Sequence, residues 1–298
     1  MCFISRIFGY NSLTDKDLFV NFWLRICFWF IRMFFEKKLK RYSKREKEGW
    51  ELIFEDNFEK NSWEGEDRKW DVGDSWGDFH PHQRNMYKGP PVLSNGYAKF
   101  TVKYNPKEFS YDGGTITIPF ERSYLSTHST FLRQYGRWEF RKTLPKEKSA
   151  WPASWLYGRG WPPEIDVIEA YGKEDGKSIV SQKINIHWGT CGDTHQQMRA
   201  WGVRIKKFSD EFFHEFALEW DENGIYMFTN GIKIYQYTNK RILDKFFNVD
   251  TATSRTVINH AVEPDGKGGT KYITPEEEKT YYSEFLVDYV RVYKKIEK

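Results

Sequence analysis

Three carboxylates stand close together in an otherwise apolar run, PPEIDVIEAYG, where Ile165, Val167 and Ile168 separate Glu164, Asp166 and Glu169. Side chains alternate between the faces of a strand, so Glu164 and Asp166 share a face. Glu169 follows Glu164 by five residues, and a regular strand would turn it to the other side. One extra residue, a β-bulge at Val167-Ile168, returns it to the face of the other two. Crowded carboxylates raise one another's proton affinity. Glycoside hydrolysis uses that asymmetry, with one carboxylate ionised to attack the sugar and a second kept protonated to assist the leaving group. Residues on one bulged strand can meet the separation of roughly 5–5.5 Å that double displacement requires. The pattern E-x-D-x-x-E also occurs on solvated strand faces, so its flanks must decide between the two readings.

Trp151, Trp155 and Trp161 cluster just ahead of these acids. Flat indole faces suit stacking on sugar rings, which makes Trp151 and Trp161 candidates for substrate contact. Trp155 suits the core equally well. His187, Cys191 and His195 have zinc-like spacing, H-x3-C-x3-H, but no fourth ligand stands nearby, and a structural zinc site takes four. DGKGGTKY carries the glycines of a phosphate loop without its order or its following helix, and reads as a loop.

Short strands must position these groups. From Trp50 onward, period-two alternation runs through YAKFTVKY, RWEFRKTL and GIYMFTNGIKIYQY. Asn95-Gly96, Asn223-Gly224 and Asn230-Gly231 are hairpin dipeptides, because a type I′ turn needs positive φ at both central residues. The last two make Ala217–Tyr237 a three-stranded meander. SEFLVDYVRVYKK predicts a final strand with Leu286, Asp288, Val290 and Val292 on one face. Only Asp210–Phe213 and the stretch near Leu243–Phe247 read as helical. Roughly 245 residues of strands and turns predict an all-β fold, a two-sheet jelly-roll β-sandwich.

With the acids at its centre, the chain from Trp50 to Tyr293 resembles glycoside hydrolase family 16, the laminarinase, agarase and carrageenase group. WELIFEDNF fits the family's first strand, and Tyr135–Gly158 is similar to the strand pair leading to the catalytic strand. INIHWG, FHEFALEWDENGIYMFTNG and VDYVRVY follow in matching order and spacing. The resemblance implies Glu164 as nucleophile, Asp166 as its assistant and Glu169 as acid/base. The extra residue in E-x-D-x-x-E is similar to the bulged subgroup rather than to lichenase and xyloglucan-type enzymes. The family pattern further implies that His187, with Trp188 beside it, reaches the leaving-group side, and that Asn85 and Tyr87 lie near donors to sugar hydroxyls. It implies a structural Ca²⁺ held from the first and last strands, where Asn57 and Asp288 stand; the chemistry itself requires no cofactor. Asn57 replaces the usual acid, which weakens such a site. Pro162-Pro163 departs from the laminarinase pattern, which has Gly just before the first catalytic Glu.

The resemblance implies a retaining endo-β-glycoside hydrolase, with a β-1,3-glucan as first-choice substrate. The alternatives are a red-algal galactan (agar, porphyran or carrageenan), a transglycosylase sharing the same covalent intermediate, and a non-catalytic carbohydrate-binding jelly roll. The last would keep the tryptophans without needing three carboxylates. Aromatic residues reach 18% of the chain, which suits both a sandwich core and sugar stacking. We expect a monomer.

Charge divides the chain at residue 49. Residues 1–49 hold 11 Lys/Arg against 5 Asp/Glu, a net of +6, which leaves 35 against 37 and a net of −2 for residues 50–298. The larger part, the hydrolase domain, has no pull toward polyanions, which argues against a nucleic-acid partner. Of the three cysteines only Cys191 lies in it, so no internal disulfide framework forms there. Residues 1–49 form a basic amphipathic segment. In LFVNFWLRICFWFIRMFF, Asn21, Arg25 and Arg32 fall on one helical face, opposite Phe19, Trp23, Ile26, Phe30 and Phe34. KKLKRYSKREK follows at once. A cleavable signal would need an unbroken apolar core and a small-residue site, and a span would bury two arginines. Residues 18–47 therefore suit membrane-surface contact, in a membrane-associated or secreted protein. A helix packed on the protein's own body, or an aberrant start, suits the same residues.

Overall fold

Positive-φ turn residues punctuate the chain and set the register of its strands. The computed structural model describes residues 14, 16–24, 26, 45–75, 77–80, 83–176, 181–204, 213–266 and 269–297. The strands begin with β1 (Trp50–Asp56), β2 (Phe79–His80), β3 (Gln83–Gly89), β4 (Val92–Ser94), β5 (Tyr97–Tyr111) and β6 (Gly114–Ser126). They continue as β7 (Leu132–Arg133), β8 (Gly136–Lys142), β9 (Ala150–Tyr157), β10 (Glu164–Glu169), β11 (Ser181–Trp188) and β12 (Gln196–Arg204). The last are β13 (His214–Asp221), β14 (Gly224–Thr229), β15 (Ile232–Tyr237), β16 (Ser254–Val262) and β17 (Tyr282–Lys295).

Asn95-Gly96 and Asn230-Gly231 both have positive φ at each residue and close the β4–β5 and β14–β15 hairpins as expected. Asp112-Gly113, a dipeptide of the same chemistry, does so between β5 and β6. Asn223-Gly224 corrects the expectation. Asp221 pairs with Gly224, so the turn residues are Glu222 and Asn223, neither of them left-handed.

The fold is the expected antiparallel sandwich. One sheet runs β15-β14-β13-β8-β17-β5-β6-β3-β2, with β1 beside the C-terminal half of β17 and β4 beside the start of β5. Only β3 and β6 run parallel among these pairs. The second sheet runs β12-β11-β10-β9-β16, and the end of β6 with β7 lies beyond β16. Strand β6 thus belongs to both sheets. Between them lies one core, with Trp138, Phe140, Phe216, Leu218 and Trp220 facing Leu156, Ile165, Ile184 and Ile186. Trp138 stacks on Trp220 and donates its Nε1–H to Thr256 Oγ1 at 3.1 Å, which ties the sheets together.

The expected bulge is present in β10. Asp166 pairs with Trp155 and Asn185, but Ile168 already faces Ser154 and Glu169 faces Lys183. Val167 and Ile168 are both fully buried in the core. Turning either one outward would forfeit roughly 1.5–3 kcal/mol of burial. A bulge takes a carbonyl out of the regular ladder. The buried Gln182 donates Nε2–H to Val167 O at 2.9 Å, and Thr229 Oγ1 donates to Gln182 Oε1 at 2.7 Å.

A second bulge corrects the reading of the last strand. The register of β17 shifts between Val287 and Tyr289, so Phe285, Val287, Val290 and Val292 face the core, rather than Leu286 and Asp288 with the valines. A helix covers Lys240–Phe246, near the expected position, and a one-turn helix at Pro275–Glu278 adds to the expected pair. The helical expectation for Asp210–Phe213 falls mainly outside the described residues. So does most of residues 18–47. A helix does form over residues 16–24, and Asp17 and Asn21 dock it on β15.

Replacing Gln182 with Leu would leave the Val167 carbonyl buried without a donor. The expected cost is about 1–3 kcal/mol, read as a lower unfolding midpoint in urea, together with weaker catalysis as the bulge relaxes. An unchanged midpoint with full activity would show that the bulge holds itself.

Candidate active site

Strand parity decides what the face turned away from the core contains. In β10 it carries Glu164, Asp166 and, after the bulge, Glu169. Their cross-strand partners share that face: Tyr157, Trp155 and Ala153 on β9, and His187, Asn185 and Lys183 on β11. Gln197 and Arg199 extend the rows on β12, and Arg255, Val257 and Asn259 on β16. One sheet face thus collects three acids, the rings of Trp155 and Tyr157 on β9, and a fringe of amides and cations.

Each acid is held by named donors. Trp161 Nε1 donates to Glu164 Oε2 at 2.9 Å, and Trp151 Nε1 donates to Glu169 Oε1 at 2.9 Å. Tyr171 OH donates to the same Glu169 oxygen at 2.8 Å, and Asn185 Nδ2 donates to Oε2. Trp151 and Tyr171 stack, ring centroids 5.4 Å apart, and Lys183 Nζ lies 3.9 Å from the Tyr171 ring centre. Gly172 fixes this corner. A Cβ there would fall 1.7 Å from Glu147 O, so only glycine allows the chain to pass after Tyr171.

His187 borders both Asp166 and Glu164. Its Nε2 lies 3.1 Å from Asp166 Oδ2 and 3.5 Å from Glu164 Oε1. Its Nδ1 meets His195 Nε2 at 2.8 Å, and Trp161 packs against His195 at 4.6 Å between ring centres. A proton on either acid therefore has a two-imidazole path outward.

Burial governs the electrostatics. It pushes Glu164 up to about 8, reinforced by the charge of Asp166. It raises Asp166 well above the usual carboxylate range, reinforced by Glu169. Burial also raises the Tyr171 hydroxyl, with Glu169 adding to the effect, so Tyr171 remains a donor at any working pH. Burial lowers the His195 imidazole, and the neighbouring His187 lowers it further. Among the described residues, only Glu164, Asp166 and His187 bring three ligand-type atoms within 4.8 Å. Cys191 is exposed and its thiol meets Thr194, so the zinc-like spacing does not converge on a site.

The structure sorts the sequence candidates. Glu164, Asp166, Glu169, Trp151, Trp161 and His187 come together. Trp188 does not, because its parity is opposite to that of His187. It is 2% exposed, packs in the core with Tyr237, and only edges an open groove of about 640 Å³ beside Gln196, Arg241 and Lys245. Tyr87 is a second correction. It is buried in the other sheet, its hydroxyl donates to Asn105 O at 2.9 Å, and burial with Glu121 nearby pushes it up to about 12. Asn85 is half-buried on β3, and its Nδ2 has no partner among the described residues.

Asn57 and Asp288 do not supply a fitting Ca²⁺ site in this arrangement. The Asp288 carboxylate is paired with Arg141, and a guanidinium beside it disfavours a dication. Asn57 is exposed, and its neighbour Asp56 is already engaged by Ser62 and Trp70. Asn185, Tyr171 and Lys183 join the site without standing among the sequence candidates. Parity is the signal that points to Asn185, two residues before His187 on the same strand.

Known proteins are similar to this chain in sequence and in fold. The family model described as glycosyl hydrolases family 16 matches residues 96–273. The chain is 27% identical over 273 residues to a beta-glucanase of Rhodothermus marinus, covering 83% of this chain and 86% of that protein. It is 30% identical over 146 residues to the endo-1,3-1,4-beta-glycanase EglC of Rhizobium meliloti (strain 1021), covering 48% of this chain and 29% of that protein. It therefore spans most of one relative and under a third of the other. The catalytic domain of an endo-1,3-beta-glucanase (laminarinase) from Thermotoga petrophila RKU-1 has the same fold, with a TM-score of 0.62 at 21% identity, over 83% of this chain and 99% of that one.

The raised Glu164 carboxyl links stability to pH. A carboxyl lifted from 4.5 to about 8 in the fold releases its proton on unfolding anywhere between those values. The unfolded state then binds fewer protons, and stability falls as pH rises across that window. The melting temperature should drop from pH 4.5 to 8, and Glu164→Gln should flatten the decline while raising stability at pH 8. Parallel curves for the two proteins would mean that Glu164 ionises freely in the fold.

Proposed function

Because the chain belongs to glycosyl hydrolase family 16 and is an enzyme that hydrolyses glycosidic bonds, we propose that it is a retaining endo-β-glucanase acting first on a β-1,3-glucan. The observation that carries this reading is the bulged strand that sets Glu164, Asp166 and Glu169 on one ring-lined face. The names of the relatives, beta-glucanase and endo-1,3-1,4-beta-glycanase, support the choice of polymer.

In the first step Glu164 attacks the anomeric carbon while Glu169 protonates the departing oxygen. Glu164 must first lose its proton. His187, whose Nε2 lies 3.5 Å from Glu164 Oε1, offers with His195 the way to solvent. In the second step Glu169, now ionised, takes a proton from the incoming water, which cleaves the glycosyl ester and restores the configuration. Trp151 and Trp161 present rings beside the two acids, so a sugar stacked there meets both ends of the reaction.

Reducing-end release from a panel of β-glucans and algal galactans tests the substrate. We expect cutting of a β-1,3-glucan, reduced to background in Glu164→Gln and by roughly 10²–10⁴-fold in Glu169→Gln. Azide should rescue Glu169→Ala with a β-glycosyl azide as product. An α-azide from that variant would reverse the two roles. Cutting of a galactan alone would overturn the polymer and keep the chemistry. Polymer binding without cutting would favour a lectin-like jelly roll.

The pH profile is a separate test. The acid limb of kcat/KM reports the free enzyme's essential base. It should climb about tenfold per pH unit toward pH 8, following Glu164. A limb that ends near pH 5 would remove Glu164 as the group that must ionise.

A further inference from the structure

The helix over residues 16–24 is docked with its polar face inward. Asp17 is fully buried and Asn21 nearly so. Asn21 Nδ2 donates to Gln236 O at 2.9 Å, and Gln236 N donates back to Asn21 Oδ1 at 2.8 Å. Thr238 N donates to Asp17 Oδ2 at 2.9 Å, and Thr238 Oγ1 and Gln236 Nε2 donate to Oδ1. Among the described residues β15 pairs with β14 alone, so its outer edge is that of an edge strand. Asn21 satisfies the backbone N–H and carbonyl of Gln236 on that edge, and Asp17 the N–H of Thr238 just past the strand.

That anchoring turns the other face of the helix to solvent. Phe19 is 65% exposed, Phe22 60% and Trp23 49%. Trp23 touches both phenylalanines, at 6.3 and 6.2 Å between ring centres, so the three form one patch. A soluble helix normally buries such a stripe and exposes its polar side. Here the arrangement is inverted, and hydrogen bonds hold it so.

We propose that Phe19, Phe22 and Trp23 form a membrane-docking face that inserts into the interfacial layer of an anionic bilayer. Phenylalanine and tryptophan on an in-plane helix partition at the headgroup boundary. The chain that follows carries Lys37, Lys38, Lys40 and Arg41, and residues 1–49 hold the net charge of +6, while the remainder is slightly acidic. Such a run is drawn to anionic headgroups, whereas the body of the protein is not. No helix among the described residues is long and apolar enough to cross a membrane. The inference is independent of the catalytic reading, since none of these residues touches the acids.

Co-sedimentation of the full chain with vesicles tests it. Binding to phosphatidylcholine vesicles containing roughly a third phosphatidylserine should exceed binding to phosphatidylcholine alone and weaken in salt. The triple substitution Phe19→Ser, Phe22→Ser, Trp23→Ser should lower it at least tenfold. Hydrolytic activity should stay at the wild-type level, which also reports intact folding. Equal binding by wild type and the triple variant, or no binding to anionic vesicles, overturns the proposal. So does a lipid-free dimer that the triple variant converts to monomer, since a second copy would then be the occupant.

Discussion

A single extra residue obliges the central strand to bury Val167 and Ile168 side by side and to find a partner for a carbonyl outside the regular ladder. Gln182 is that partner, and Thr229, from the opposite sheet, holds Gln182 in turn. This short chain of contacts runs through the core from one sheet to the other. Everything on the outer face depends on it, because the parity of Glu169 depends on it. The desolvation that favours burying two branched side chains outweighs the loss of one regular ladder bond, since that bond is replaced. Without the replacement the balance would tip toward a regular strand, and Glu169 would point inward.

The acids in turn organise their surroundings. Two indole N–H groups, a phenol, an amide and an imidazole all aim at three carboxyl groups. The rings proposed to face a sugar, Trp151 and Trp161, are the same rings whose N–H groups hold the acids. Stacking and proton affinity are therefore joined: a sugar that shifts Trp161 alters the environment of Glu164, and one that shifts Trp151 alters that of Glu169. Exclusion of water by the polymer strengthens each of these contacts just when the carboxyls must change charge.

Much of this architecture is legible in the amino-acid sequence alone. Alternation and the five-residue offset of Glu164 and Glu169 locate the bulge, and the turn dipeptides locate most hairpins. Where sequence and structure part, parity is the cause. Trp188 follows His187 directly and so faces inward, as Ile184 and Ile186 do. Leu286 and Asp288 take the face opposite to the expected one because nothing in SEFLVDYVRVYKK marks its bulge. Tyr87 reads as available because its partners, Asn105 and Glu121, are far along the chain. The amphipathic character of the helix at residues 16–24 is plain in its residues, but which side faces the protein depends on the bare edge of β15, more than two hundred residues away. No local pattern encodes that.

Strand β6 enters the molecule in one sheet and leaves it in the other. Its residues Gly114–Ile118 and Phe120–Arg122 pair with β5, whereas Tyr124–Ser126 pair with β16 beside the catalytic strands. Sheets that meet only through side chains can peel apart, one fraying while the other persists. Here one length of backbone is laced into both, so disorder spreading from either margin meets bonds that belong to its neighbour. Unfolding of either leaf therefore works against pairing that belongs to the other, which couples the floor beneath the acids to the far sheet.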